Sequence, residues 1–365
     1  MAKLLFLNKE NLGLLINNLK ASCDEFIAPK REHLSDIIFG DAKNEGGELL
    51  DYEGNSVISP RAFLLPQTEP LFEIKSAKNC EFNPIEDKKR RIFYGVRPCD
   101  IKALGLMRKF FIGAKESIGR TAKIAEKVIA EGDFLDDGFV DAPYKQKIDN
   151  SVFISLACGK RCMADSFCRL MGAGPIAKEG FDLQLIPVSR GYLVEVGSRN
   201  GSQIVQRNKK LFSKALPQDK KEIKGILKNF AERVKKINYK KLAKIMKEDK
   251  VAQEVWDDIG QRCVVCSGCI SLCPTCSCFS VADRLEGDKG MRFRYCDGCV
   301  YAGFTRMAGG NTPFPQHKDH IRRFFEHKLN VDVARYGTSS CVGCGRFIET
   351  CPGNIIIKKF IDAVR

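Results

Sequence analysis

Several things are scarce in this sequence, and each shortage removes a class of function. There are four histidines, His33, His317, His320 and His327, and one tryptophan, Trp256. None of the imidazoles stands at ligand spacing from a cysteine, so His317 and His320 read as structural. No apolar run is long enough to span a bilayer. The first ten residues hold too short an apolar segment, and no small-residue cleavage site, for a secretory signal. No G-x-G-x-x-G follows a strand pattern, so the nicotinamide fingerprint is missing. With no evident hydride or acid–base site, catalysis by this chain alone is not expected.

Cysteine is abundant, with seventeen in 365 residues. A chain this long, 44% hydrophobic, does not need stapling by disulfides. Clustered cysteines point to metal in a reducing compartment, which predicts a cytoplasmic location and low oxygen. The net charge of +15 is local: residues 207–250 hold 16 Lys/Arg against 5 Asp/Glu, a net +11. Such a run is a solvated face or a docking face for an acidic partner. No aromatic interleaving or nucleic-acid motif accompanies it, and Trp256 lies past it, which argues against a membrane-surface helix.

The cysteines from 263 to 274 read C-x2-C-x2-C-x3-C-P. This is the ligand run of a bacterial [4Fe–4S] ferredoxin, in which the fourth cysteine serves the other cluster of a pair. Zinc favours two separated C-x2-C knuckles instead. Gly268 leaves room for backbone beside sulfur, and Pro274 suits the first turn of a following helix. A second run, Cys341-x2-Cys344-x2-Phe347-x3-Cys351-Pro352, repeats the motif with Phe347 at the third ligand position. One cluster then takes Cys263, Cys266, Cys269 and Cys351. The other takes Cys273, Cys341 and Cys344 and lacks a fourth cysteine. It is a three-iron or open-iron cluster, or it recruits Cys276, Cys278, Cys296 or Cys299, with Cys296 the first choice, or it is empty.

The chain before these motifs reads as α/β (α+β). Leu12, Leu15, Ile16 and Leu19 mark a helix. Gly40 to Asn55 is a loop or hairpin, and Cys23 and Cys80 are isolated thiols. Ile92–Val96 is a buried strand ending at Arg97-Pro98-Cys99-Asp100, with Asp100 as N-cap of a helix from Ile101. A second strand, Val152–Ala157, delivers Cys158, Cys162 and Cys168, and Gly172–Pro175 closes that loop. If the two strand tips are neighbours, Cys99, Cys158, Cys162 and Cys168 make a third site, for a cubane, a zinc ion or unrelated thiols. Residues 181–197 form a hairpin turning near Ser189–Gly191. Residues 219–258 are one or two helices with an apolar stripe that includes Ile223, Ile226, Leu227, Val234 and Leu242. The expected domains are an α/β unit over 1–215, a basic helical segment over 216–258, and a dicluster ferredoxin-like unit over 259–365. The last carries a long insertion at about 276–340.

Taken together, Ser59–Glu69, Gly95–Asp100, Cys162–Pro175, Cys273-Pro-Thr-Cys276-Ser-Cys278-Phe279, Cys299, Ala308–Asn311, His327-Lys328 and Cys341–Pro352 resemble a known family. It comprises the iron–sulfur beta subunits of cytoplasmic sulfhydrogenases and the A subunits of anaerobic sulfite reductases. The resemblance implies two or three iron–sulfur clusters, mainly [4Fe–4S]. It also implies a subunit that relays electrons between a flavin- and NAD(P)-binding subunit and a catalytic or acceptor subunit. It strengthens the third site, although the family's cysteine spacing there differs. The family carries Cys at the position of Phe347 and usually Trp at that of Cys296, which suggests compensation. Related subunits of F420-linked enzymes bind FAD, so a flavin-containing subunit is one alternative. An autonomous sulfur or disulfide reductase with an open iron is another.

Overall fold

In the computed structural model, residues 4–32, 36–44, 46–113, 140–159, 162, 166–230 and 237–364 are described. The strands are β1 (Leu5–Asn8), β2 (Glu25–Arg31), β3 (Ile37–Asp41), β4 (Thr68–Ser76), β5 (Glu81–Pro84) and β6 (Arg91–Val96). They continue with β7 (Ser151–Leu156), β8 (Leu183–Val188), β9 (Gly191–Val196), β10 (Phe212–Lys214), β11 (Phe279–Glu286) and β12 (Lys289–Cys296). Eight of them build a mixed sheet in the order β10-β1-β9-β8-β7-β6-β2-β3. Its middle, β8-β7-β6-β2, is parallel, and its flanks are antiparallel. Every residue of β6 and β7 is buried, as strands covered on both faces require. The helix Lys9–Lys20 covers one face with Leu12, Leu15, Ile16 and Leu19, the four residues its spacing singles out.

β6 and β7 are neighbours, so their C-terminal tips lie side by side. The register slips between Tyr94 and Val96, where Gly95 takes a φ of 76°. A side chain there would meet Pro29 at 3.0 Å, so the kink depends on glycine. The helix that follows is Pro98–Ile112, with Arg97 as its N-cap. Asp100 therefore lies inside the first turn and does not cap the helix as expected. Its carboxylate is engaged elsewhere, as described below.

The insertion between the two cysteine motifs does not stand apart. Its hairpin β11–β12 joins the hairpin β4–β5 in a second, antiparallel sheet ordered β11-β12-β4-β5. Buried charges fasten this seam: Arg294 pairs with Glu69 at 2.6 Å and also with Asp141, and Lys147 pairs with Glu69. The basic region forms the helices Pro217–Asn229 and Tyr239–Lys247, followed by Gln253–Arg262. Ile223 and Ile226 pack on the N-terminal sheet, whereas Leu242 and Met246 enter the C-terminal core. Leu227 is exposed, and Val234 lies outside the described residues. Trp256 is buried against Phe360 and Phe325. Among the described residues no helix is long and apolar enough to cross a membrane.

Candidate metal centres

The first motif wraps a short loop. Val265 and Ser267 take φ values of 51° and 62°, which turn the chain sharply between successive cysteines. The helix Gly268–Ser271 then carries Cys269. Cys263, Cys266, Cys269 and Cys351 line one pocket. Val300, Ile321, Phe324, Phe347 and Ile355 supply apolar walls. Phe347 stacks edge-on against Phe324 at 5.7 Å, so the residue at the vacant ligand position is a wall of the first pocket. His317 holds the Cys263 carbonyl at 2.9 Å through Nε2, and His320 holds that of Phe314 at 2.8 Å, structural roles for both. His327 lies 3.3 Å from Asp332, and His33 is outside the described residues.

Cys273 and Pro274 lead into a tight turn, closed by Cys276 N–H donating to the Cys273 carbonyl at 3.2 Å. The helix expected after Pro274 does not form. The turn instead brings Thr275 Oγ1 to 3.2 Å from Cys273 Sγ and hands the Cys276 carbonyl to Arg61 at 2.9 Å. Cys273, Cys341 and Cys344 are all buried; Cys273 and Cys344 bear on Cys341, and Cys273 bears on Cys344. Burial pushes the Cys341 thiol up to about 12. The Lys328 ammonium faces Cys273, Cys276 and Cys341 from the π-helical turn His327–Val331. Burial alone would favour its neutral form, and ionised sulfur at Cys273, Cys276 and Cys341, with Asp332, favours the charged one. Cys276 is paired with Cys278, and Cys278 with Cys299. Cys296, the first choice for a fourth ligand, is placed differently: its thiol is directed at the Pro66 carbonyl at 3.5 Å, where the β12–β4 seam ends. Cys276 follows Cys273 in the same tight turn and also faces Lys328.

The third group sits on the strand tips. Arg97 spans them, donating from Nη1 to the Leu156 and Ala157 carbonyls at 3.4 and 3.3 Å and from Nε to that of Gly54 at 3.1 Å. Its guanidinium stacks on Tyr52 and faces Cys99, Cys158 and Cys162. Cys162 acts on Cys99, Cys158 and Cys168, so the four candidate thiols lie together. Cys158 N–H donates to Pro175 O, and Ala173 N–H to Cys168 O, both at 2.8 Å, which closes the loop. Burial pushes the Cys158 and Cys168 thiols up to about 12, and Cys99 well above its usual range. Such thiols are protonated at neutral pH, so metal loading must release protons. The isolated thiols are Cys23, buried, and Cys80, exposed.

The second and third groups share a wall. Cys99, Ala103, Leu106, Ala173, Val342 and Cys344 form one apolar cluster, with Cys168 against it. Arg346 grips Asp100 through two bonds of 2.7 Å and also binds the Ser56 carbonyl at 2.7 Å and Asn55 Oδ1 at 2.8 Å. Asn55 in turn donates to Cys99 Sγ at 3.6 Å. Sequence reasoning missed this bridge, although Asp100 belongs to the quoted motif and Arg346 stands two residues past Cys344.

Among the described residues no three His, Cys or carboxylate side chains gather closely enough to hold a single metal ion. A cubane asks for something different: one thiolate on each of four irons, spread around the cofactor. The first pocket offers four thiols and apolar walls, and the second site a buried cation facing thiols. Both donor sets fit an anionic iron–sulfur cluster. A family model described as a 4Fe-4S dicluster domain matches residues 262–355. The chain is also 28% identical over 319 residues to the sulfhydrogenase 2 subunit beta of Pyrococcus furiosus, covering 87% of this chain and 85% of that one. The cofactors are accordingly iron–sulfur clusters, mainly [4Fe–4S]. The dicluster domain, with the likeness along most of the chain to a sulfhydrogenase beta subunit, makes it an iron–sulfur electron-transfer protein similar to such subunits.

Proposed function

We propose that this chain is the one-electron relay of a cytoplasmic multi-subunit oxidoreductase, joining a flavin- and NAD(P)-binding subunit to a catalytic or acceptor subunit. The contiguity of the three cysteine groups carries this reading. Cys263, Cys269, Cys351, Cys276 and Cys341 pack in one core, and Cys344 shares a wall with Cys99. Iron–sulfur clusters held there supply one-electron carriers whose potentials follow burial, charge and hydrogen bonds to sulfur. The protein's own part is to hold and insulate. Cys273, Cys341 and Cys344 are buried in the middle, Cys266 is exposed at one end, and Cys162 and Cys168 are half-buried at the other. Both ends thus meet a surface where a partner can dock. Burial of the middle group also argues against an open iron there that reduces a substrate.

Spin coupling tests the contiguity. In the fully reduced protein, EPR signals should be broadened by coupling between neighbouring sites. Cys273→Ser, which takes a ligand from the middle, should sharpen them. Uncoupled signals in the unaltered protein would refute the relay.

The same reading assigns Cys276 as fourth ligand of the middle site. Cys276→Ser should remove about four irons, or leave an oxidised three-iron signal. Cys296→Ser should leave both iron content and EPR unchanged. The reverse pattern would restore Cys296 to the role.

A further inference from the structure

Lys328 is a buried charge that the relay reading leaves without a task. It is 3% exposed. Its Nζ donates to Thr275 Oγ1 at 3.1 Å, and the same hydroxyl lies 3.2 Å from Cys273 Sγ. Among the described residues no carboxylate forms an ion pair with it. Asp332, the acid that bears on it, lies 3.3 Å from His327. Arg61, the other cation near this turn, binds the Cys276 carbonyl. The aromatic neighbour of Lys328 is Phe324, with Nζ 5.2 Å from the ring centroid.

A lone ammonium away from water is costly unless negative charge faces it. What stands beside Lys328 is sulfur: one hydroxyl, that of Thr275, separates its Nζ from Cys273 Sγ. The backbone here is also unusual. Lys328 lies in a π-helical turn, a widening that recurs at functional sites and here sets the side chain inward. Ser340, directly before Cys341, is tied to the Lys328 carbonyl by its N–H at 3.3 Å, so the lysine's turn and the ligand loop are joined there.

We infer that Lys328, with Thr275 between it and Cys273, is the built-in countercharge of the middle cluster and raises its reduction potential. The inference rests on the assignment of Cys273, Cys341 and Cys344 to one cluster. Reduction adds one negative charge to that cofactor, and a fixed cation beside it favours the reduced form. Little solvent is present to screen the interaction, and salt in solution screens a buried charge weakly.

EPR-monitored redox titration of the whole protein is the test, with iron content measured on each sample. Cys273→Ser first identifies which signal belongs to the middle site. Lys328→Met should leave iron per chain unchanged and lower that site's preference for the reduced state at least tenfold, about 59 mV for one electron. The other signals should hold their midpoints. Lys328→Arg, which keeps the charge, should recover most of the shift. Thr275→Val should lower the midpoint by less than Lys328→Met. An unchanged midpoint with full iron in Lys328→Met overturns the inference and leaves the relay standing. Iron loss in both Lys328→Met and Lys328→Arg also overturns it, since packing would then be the role of Lys328. If Cys273→Ser alters no signal, the middle-site assignment fails and the inference falls with it.

Discussion

Arg346→Met should lower the unfolding free energy by about 3–5 kcal/mol, the cost of stranding one member of a buried ion pair. The Arg346 and Asp100 side chains are 1% and 0% exposed, and their two bonds are bidentate. Among the described residues, removing the guanidinium leaves the Asp100 carboxylate with only the Ser59 hydroxyl, at 3.0 Å, in a space walled by protein. It also frees the Ser56 carbonyl and Asn55, and Asn55 holds Cys99. The denaturant midpoint of the anaerobic protein measures the loss. A second change, Asp100→Leu, should recover part of it, because removing both charges is far milder than removing one. A cost below about 1 kcal/mol for Arg346→Met, the range of exposed pairs, would mean that water reaches the bridge.

Gly343→Ala should cost the protein two metal sites at once, because one backbone contact serves both. Gly343 lies between Cys341 and Cys344 with a φ of 65°. Phe167 N–H donates to its carbonyl at 2.9 Å, so the second-motif loop and the Cys168 loop are joined there. A β-carbon would fall 2.7 Å from the Phe167 carbonyl carbon and 2.8 Å from Cys168 N. Those are backbone atoms, which cannot rotate aside. An L-residue also pays about 1–2 kcal/mol for the left-handed conformation. The two loops must therefore separate, and Cys341, Cys344 and Cys168 lose register with their partners. The iron content should fall by about eight atoms per chain, two cubanes. Full iron in this variant would show that the loops do not depend on each other.

What the sequence made legible was local. The two ferredoxin-type runs name Cys263, Cys266, Cys269, Cys273, Cys341, Cys344 and Cys351 by spacing, and four of these seven thiols line one pocket. Leu12, Leu15, Ile16 and Leu19 marked a helical face because one stripe of that helix is buried. The β6 and β7 runs were readable because strands covered on both faces need no polar alternation. Contacts between distant segments were not legible. Nothing in a run of residues says that β12 pairs with β4, and that pairing is what carries Cys296 to Pro66. Asp100 looked like a helix cap from its position just before the helical pattern that starts at Ile101. Its partner Arg346 stands 246 residues on and is brought near only by the fold. Lys328 sat in a stretch quoted for its resemblance, but its burial depends on the π-helical turn, which has no sequence signature as plain as a glycine or a proline.

The most direct measurement is iron and acid-labile sulfide per chain on anaerobically purified protein, with EPR on the oxidised and reduced forms. Three complete sites predict about twelve irons and twelve sulfides, with cubane signals on reduction and none from a three-iron cluster on oxidation. About eight irons, with a signal set unchanged by Cys162→Ser, would contradict the site on the β6 and β7 tips. An oxidised three-iron signal would contradict the completion of the middle site by Cys276.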